Sequence, residues 1–351
     1  MIDWFSSMQQ TFEYYMVDPG TWMDIQKIAT VKESSITRDN DTDTLGSATI
    51  DLTEQIGECY VRIYLIAIQN GETAKVPLGT FLVQTPSDSY DGKVHAISAD
   101  AYTPLKELKE NPMPLGYSLK KGDNILDSAY LLCSGNLRAP VIRTKSNKIL
   151  EVDFVANTDD KYITFVKDLL GNANYELGLD DLGQVLFLPK QDITTLQPVV
   201  TFDDGNSSIL MPDVTVTKDL YDIPNVVELT YSNGNMTYST RVVNDSTDSP
   251  VSTVNRGREL IYRVINPSLT GSFTKEQIDE YARQVLKSLS TVENTISYTH
   301  GYYPVRVGDC VYLDYTKAGI HTKAKVVSQT IKCQLGCPVS EKAVYTENLW
   351  R

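Results

Sequence analysis

Side chains able to catalyse a reaction are few in this chain, and their spacing is wide. The three histidines are His95, His300 and His321, and no two lie close enough in sequence to form a metal site or a nucleophile–base pair by spacing alone. The sequence contains no G-x-S-x-G, H-E-x-x-H, Walker or G-x-G-x-x-G motif. We therefore predict that the chain is not an enzyme and has no catalytic, cofactor-binding or metal-binding residues.

Cysteine usage points the same way. The chain has five cysteines, an odd number with scattered spacing, which does not imply a disulfide framework. Cys333 and Cys337 are the only close pair, and a zinc site usually needs a second Cys/His pair. We predict reduced, structural cysteines, with a metal site as the alternative. The five are Cys59, Cys133, Cys310, Cys333 and Cys337.

Clusters of carboxylates raise two further possibilities, a calcium-binding loop and a catalytic pair of a glycosidase. Asp39-Asn40-Asp41-Thr42-Asp43 resembles the start of a calcium loop, but position six is Thr44 and position twelve is Ile50 instead of glycine and glutamate. We predict a solvated hairpin tip there, and a turn at Asp203-Asp204-Gly205-Asn206. A glycosidase pair needs two carboxyls at a defined separation, which a sequence does not reveal, so that alternative stays open.

The bulk properties are those of a folded protein of two to four domains: 351 residues, 41% hydrophobic and 22% charged. The net charge of −13 argues against nucleic-acid binding and against adhesion to an anionic membrane. It is consistent with solubility, or with an acidic conduit that repels DNA. No apolar run is long enough to span a membrane, and the N-terminus lacks signal-peptide features, so folding in a cytoplasm is expected.

The first hundred residues have the pattern of an antiparallel barrel or curled sheet. The run CYVRIYLIAI is strand-prone, and it leads into Asn70-Gly71, the dipeptide of a tight hairpin turn. Predicted strands cover residues 47–52, 59–68, 79–87 and 93–102, with a further turn at Asp91-Gly92. Residues 1–102 are therefore predicted to be a first β-barrel domain.

From residue 103 onward the sequence pattern changes to a mixture of predicted helices and strands. Predicted helices cover residues 103–110, 123–134 and 158–171, with Thr103 and Thr158 as N-caps and Gly135 as a stop. Predicted strands lie at 152–155 and 185–188. Residues 103–200 are therefore predicted to be a small α+β domain.

The rest of the chain returns to β structure around one helix. Strands are predicted at 214–217, 225–231, 236–243 and 260–264, with a hairpin turn at Asn233-Gly234, and later at 309–315, 321–335 and 339–346. Thr274 and Gln277 form a capping box, and Phe273 with Ile278 a hydrophobic staple, before an amphipathic helix. We predict a second β-barrel domain from residues 201–232 and 300–351, with a helix-containing insertion at 233–299. The predicted fold class is thus mainly β with α+β parts.

Segments at both ends resemble bacteriophage tail-hub, or baseplate-hub, proteins. The C-terminal stretches 305–315, 319–320, 325–331 and 341–346 look like the final barrel of that family. The N-terminal stretches 35–38, 46–52 and 79–83 look like its first barrel. The order of elements also agrees with the family.

The resemblance implies a homotrimeric hub at the distal end of a phage tail. Three chains would present six similar barrels, joining a six-fold tail tube to a three-fold spike, fibre or tip. Implied partners are a tail-tube or distal tail protein, baseplate proteins, a spike or tip protein and a tape measure protein, with the virion tail as location. The alternatives are a carbohydrate- or receptor-binding tail module and a tail-associated cell-wall hydrolase.

Overall fold

We describe the protein from a computed structural model. It describes residues 2–90, 92, 95–232, 237–267 and 274–350, with the backbone alone at 85, 86, 95 and 96. The turns predicted around Asp91 and at Asn233-Gly234 lie outside the described residues. Phe273 of the predicted staple and the side chain of His95 lie outside them as well.

The described residues form mainly β structure with a few helices, which confirms the predicted fold class. The strands are β1 (Gln9–Val17), β2 (Asp24–Lys27), β3 (Val31–Asp39), β4 (Gly46–Leu52), β5 (Cys59–Gln69), β6 (Glu72–Tyr90), β7 (His95–Tyr102), β8 (Ser118–Leu119), β9 (Phe154–Val155), β10 (Tyr175–Leu179), β11 (Val185–Pro189), β12 (Pro198–Asp203), β13 (Thr215–Lys218), β14 (Val226–Ser232), β15 (Thr237–Val243), β16 (Ile261–Ile265), β17 (Thr291–Gly301), β18 (Cys310–Tyr315), β19 (Ile320–Lys332) and β20 (Pro338–Asn348). The helices are α1 (Lys106–Glu110), α2 (Ile125–Ser134), α3 (Tyr162–Gly171), α4 (Thr253–Arg256) and α5 (Lys275–Leu289), with a 3-10 turn at Thr316–Ala318.

The chain divides into two compact units. Unit 1 comprises Met1–Val214 and Ser297–Ala343, and unit 2 comprises Thr215–Ile296 and Val344–Arg351. The division into two barrels, an α+β domain and an insertion stays a prediction.

The N-terminal strands of unit 1 pair in the order β2-β1-β5-β6-β7-β4-β3, all antiparallel. The predicted Asn-Gly hairpin is confirmed between β5 and β6, where Gln69 pairs with Glu72. Asn70 and Gly71 have φ values of 51° and 84°, as a two-residue turn with left-handed central residues requires.

One strand pair joins the two ends of the chain. β19 pairs antiparallel with β3, from Ser328 opposite Asp39 to Lys332 opposite Ser35. On the other side of β19 lie β18, which pairs with β12 in parallel, and β20, which neighbours β17. Because β3 and β19 share hydrogen bonds, the N-terminal and C-terminal β regions form one continuous sheet with a common core. Ile36, Ile50, Ile331 and Val339 all belong to that core.

Between these β regions lies the predicted α+β part, with its own core around α2, α3, β10 and β11. Two predicted helix starts are wrong. Thr103 does not cap α1, because its hydroxyl donates to the carbonyl oxygen of Thr44, and the helix begins at Lys106. Thr158 does not cap α3, because residues 157–160 form a turn in which Asp160 accepts from the amide of Asn157.

Unit 2 contains the sheet β15-β14-β16 with α5 packed on one face. The predicted capping box is confirmed, because Thr274 accepts from the amide of Gln277 and the Gln277 side chain accepts from the amide of Thr274. Ile278, Ala282 and Leu286 are buried against the sheet, as the predicted apolar face requires. Across the described part of the chain, no helix is long and apolar enough to cross a membrane.

Candidate functional site

A buried carboxylate on β20 is the centre of a polar cluster inside unit 1. Glu341 is 2% exposed, and its Oε2 accepts from the hydroxyl of Tyr298 at 2.5 Å. Its Oε1 accepts from Nε2 of Gln329 at 2.5 Å, and the same amide nitrogen donates to the carbonyl oxygen of Val305 at 2.9 Å. Burial and the neighbouring charge of Glu341 raise the pKa of Tyr298 well above its ordinary value, so its hydroxyl remains a donor.

The buried imidazole of His300 completes this cluster. Nδ1 of His300 lies 2.6 Å from the carbonyl oxygen of Gly301, so Nδ1 carries a proton and donates. Nε2 lies 3.3 Å from Oε1 of Glu341, an ion-pair distance that lacks hydrogen-bond geometry. The ring of Phe202 stacks on the imidazole with 4.4 Å between centroids. We call Tyr298, His300, Gln329 and Glu341 the acid cluster.

An arginine links the acid cluster to the N-terminal strands. Arg38 on β3 donates to Oε1 of Gln329 at 3.2 Å, to the carbonyl oxygen of Leu78 at 2.7 Å and to Oδ1 of Asp181 at 3.1 Å. Arg306 donates to the second carboxylate oxygen of Asp181 at 2.5 Å. These contacts tie residues far apart in sequence into one polar network. Its chemical role is therefore to fix the relative positions of three parts of unit 1.

A second buried arginine, Arg62, also fixes the relative positions of separate segments of unit 1. Arg62 is 4% exposed and donates to the hydroxyl of Thr80 at 2.9 Å and to Asp24 at 2.9 Å. The carbonyl oxygen of Leu182 accepts from the indole of Trp22 and from the hydroxyl of Thr80, each at 2.8 Å. The 180–183 turn of the α+β part is thus held against the N-terminal sheet.

A cavity of about 300 Å³ lies beside this network, within unit 1. Charged side chains of both signs line it: Arg38, Glu176, Asp180, Asp181, Arg306, Asp309 and Lys325. Burial raises the pKa of the Asp180 and Asp309 carboxyls. Because the folded state then binds these protons more tightly than the unfolded chain, the two groups favour folding at acidic pH.

Both carboxylates already have structural partners. Asp180 accepts from the amides of Leu182 and Gln184, at 2.9 and 2.7 Å, and Asp309 accepts from the amide of Arg306 at 2.8 Å. These are the contacts of turn-forming aspartates. A general acid needs the same raised pKa but must also reach a substrate, and these oxygens face backbone amides.

His321 and the acidic segments occupy exposed positions. His321 contacts Asp314 across the β18–β19 hairpin, with 2.6 Å between Nδ1 and Oδ1. The 39–43 segment forms the turn between β3 and β4, as predicted, and Asp43 pairs with Lys109 at 2.8 Å. The predicted turn at Asp203 is also present, since Asp203 accepts from the amide of Gly205. In the described ranges no three His, Cys, Asp or Glu side chains form a metal-binding group.

Four of the five cysteines are buried and one is accessible. Cys133, Cys310, Cys333 and Cys337 are at most 5% exposed, whereas Cys59 at the start of β5 is partly exposed. Burial raises the pKa of Cys133 to about 12 and that of Cys333 to about 11, which lowers their thiolate fraction at neutral pH. All five are free thiols.

We expect the native protein to react first with one equivalent of a thiol reagent such as DTNB at pH 8, at the partly exposed Cys59, although partial burial and the charge of Glu58 raise the pKa of this thiol and slow its reaction. The other four thiols should react only after unfolding, since burial removes both access and thiolate. Peptide mapping of the labelled protein locates the modified residue, and Cys59→Ser is the control that should abolish the fast phase. Fast labelling at Cys333 or Cys337 would contradict this expectation.

Comparison with known proteins gives structural matches alone. No protein-family model matches the sequence, and no curated protein is similar to it. The tail protein from Neisseria meningitidis MC58 superposes with a TM-score of 0.64 at 11% identity, covering 97% of this chain and 98% of that one. The 43 kDa tail protein of prophage MuSo2 from Shewanella oneidensis superposes with a TM-score of 0.62 at 13% identity, covering 95% and 98%.

The chain has the fold of these tail proteins. A PdpA–VgrG complex, described as lidless, also matches, with a TM-score of 0.52 at 10% identity over 98% of this chain and 65% of that one. The tail-protein fold predicted from the two ends of the sequence is therefore confirmed. At these identities the likeness concerns the fold alone.

Proposed function

We propose that this chain is a structural subunit of a phage-type tail and forms a homotrimeric hub. In this proposal three copies join a six-fold tail tube to a three-fold spike, fibre or tip at the distal end of the tail. The observation that carries the proposal is the end-to-end match with two tail proteins. The superpositions cover at least 95% of this chain and 98% of each tail protein. A match of this extent includes the helices as well as the sheets.

The internal chemistry of the chain supports a non-catalytic role. The acid cluster is sealed, since Tyr298, His300, Gln329 and Glu341 are each at most 2% exposed. The arginines Arg38 and Arg62 are paired to carboxylates and carbonyl oxygens within the fold. Ionised groups that hold distant segments together serve rigidity, which a ring subunit under mechanical load requires.

The proposed partners follow from the proposed position. A tail-tube or distal tail protein would bind on one side of the ring and a spike or tip protein on the other, with baseplate and tape measure proteins nearby. The location is then the virion tail, after assembly in the host cytoplasm. The carbohydrate-binding and hydrolase alternatives rest on composition alone.

Native mass spectrometry of the purified full chain tests the trimer. We expect a species of three times the 39.2 kDa chain mass, either alone or after addition of the tail-tube partner. A stable dimer, or a monomer that no tail component converts to a trimer, would contradict the proposal. Incubation with peptidoglycan that gives soluble products would favour the hydrolase alternative instead.

A further inference from the structure

A basic segment interrupts this acidic chain in the α+β part. Residues 136–150, NLRAPVIRTKSNKIL, contain four of the 32 Lys and Arg residues and none of the 45 Asp and Glu residues. The rest of the chain is consequently even more acidic than the net charge of −13 indicates. Glu151 and Asp153 follow the segment directly, so the positive charge that attracts acidic partners is confined to the segment itself.

The segment is extended, and its backbone is anchored along its length. The amide of Ile142 donates to the carbonyl oxygen of Val185 at 2.8 Å. The carbonyl oxygen of Ser146 accepts from the Asn124 side chain at 2.7 Å, and that of Lys148 accepts from the amide of Ile125 at 3.0 Å. Because these bonds fix the backbone before any partner arrives, little conformational entropy is lost on binding.

Three cations of this segment project outward. Lys145 and Lys148 are exposed, and neither side chain has a hydrogen-bond or ion-pair partner among the described residues. Arg143 is held in place by Asp127 on α2, at 2.7 Å, and lies 5.5 Å from the ring centre of Tyr130. The fourth cation, Arg138, is paired within the fold, since it donates to the carboxylate of Glu107.

The same segment and helix α2 also carry exposed aliphatic side chains. Ile142 and Ile149 belong to the same segment and are 43% and 55% exposed. Leu131 is 69% exposed and lies one helical turn from Asp127, on the α2 face that Arg143 contacts. We call Leu131, Ile142, Arg143, Lys145, Lys148 and Ile149 the basic ledge. Exposed apolar groups beside charged ones on a rigid backbone are typical of protein interfaces.

We propose that the basic ledge binds the acidic surface of a second copy of this chain. The proposal rests on the proposed ring function, because a head-to-tail ring needs two different, complementary surfaces on each subunit. Charge complementarity supports this occupant, since the rest of the chain carries 45 acidic residues against 28 of the 32 basic ones. The lysines steer and orient the copies, and the aliphatic groups supply the apolar contact.

Sedimentation velocity over a concentration series tests this proposal with the full chain. Lys145→Glu/Lys148→Glu reverses the two unpartnered charges of the ledge. Lys32→Glu/Lys332→Glu is the matched control, because both lysines are exposed on strands elsewhere and also lack a side-chain partner among the described residues. Circular dichroism should give the same spectrum and melting temperature for all three proteins.

We expect the ledge variant to raise the dissociation constant of self-association at least tenfold, while the control stays within twofold of the wild type. Raising NaCl from 0.05 to 0.5 M should weaken the wild-type assembly relative to that of the ledge variant, because salt screens the ledge contacts in the wild type alone but screens the general repulsion between acidic copies in both proteins. Leu131→Ser should weaken the assembly at both salt concentrations.

Two results would overturn the proposal: equal association of the ledge variant and the wild type, or a wild type that stays monomeric at every concentration both alone and after addition of the tail-tube protein. The first would leave the proposed trimer intact if the wild type is trimeric. A ledge-dependent dimer would support the ledge and contradict the trimer. The failure of one proposal is thus distinguishable from the failure of the other.

Discussion

Replacing Glu341 by alanine is expected to destabilise unit 1 by about 3–5 kcal/mol, the cost of removing one partner from a buried charged network. The change removes the acceptor of the Tyr298 hydroxyl and one of the two acceptors of the Gln329 amide, and both donors stay buried. A buried donor without an acceptor loses the hydrogen bonds that water supplies in the unfolded chain. Urea unfolding followed by circular dichroism measures the shift in midpoint.

Glu341→Gln keeps the shape of the side chain and removes its charge. It therefore separates the effect of losing the charge from the effect of losing side-chain volume. A glutamine offers one oxygen and one NH₂ group to two donors, so one of them faces another donor, and we expect a loss of about 1–3 kcal/mol. Glu33→Gln on β3 is the control, because Glu33 is exposed and its replacement should cost under about 0.5 kcal/mol. Equal midpoints for all three variants and the wild type would show that the acid cluster does not stabilise the fold.

Periodicity and local turn chemistry were sufficient to predict several elements. α5 carries its apolar residues on one face and its capping box at the N-terminus, and both signals lie within a short stretch of sequence. The β5–β6 hairpin was visible because Asn70-Gly71 suits left-handed backbone between two strand-prone runs. In both cases the determining interactions are local.

Strand β17 was missed for a physical reason. Its burial alternates strictly from Thr291 to His300, but three of the inward positions are Asn294, Tyr298 and His300. A pattern search expects apolar residues at inward positions, whereas these side chains donate to Glu347, to Glu341 and to the carbonyl oxygen of Gly301 respectively. Alternation of β-branched residues in TVENTIS was the one sequence signal available.

The partners of the buried arginines were equally invisible in the sequence. Trp22 and Leu182 share a hydrogen bond although 160 residues separate them. Arg62 lies within the correctly predicted strand CYVRIYLIAI, where an arginine is ordinarily assigned to the solvent face. Its burial is explained by acceptors distant in sequence: Asp24, Thr80 and the carbonyl oxygens of Trp22 and Leu182. Long-range contacts of this kind depend on the whole fold.

Gly46→Ala is expected to destabilise the β3–β4 hairpin by about 3 kcal/mol or more, because the change adds backbone strain to a steric clash. Gly46 has a φ of 135°, which non-glycine residues rarely adopt. A Cβ atom there would lie 2.2 Å from the carbonyl oxygen of Thr37, a backbone atom of the paired strand. Relief would require β3 and β4 to separate, at the position where β3 also pairs with β19.

Gly57→Ala is the matched control for this substitution. Gly57 is exposed in the loop between β4 and β5, and a Cβ atom there would meet nothing within 4 Å. Its replacement should leave the urea midpoint within about 0.5 kcal/mol of the wild type. Hydrogen exchange should be faster in Gly46→Ala at the amides of β3 and β4, and across the β3–β19 pairing that joins the two ends of the chain. Unchanged exchange in the β3–β19 pairing would contradict this expectation. It would mean that the distortion stays within the β3–β4 hairpin and that β3 pairs with β19 without the support of β4.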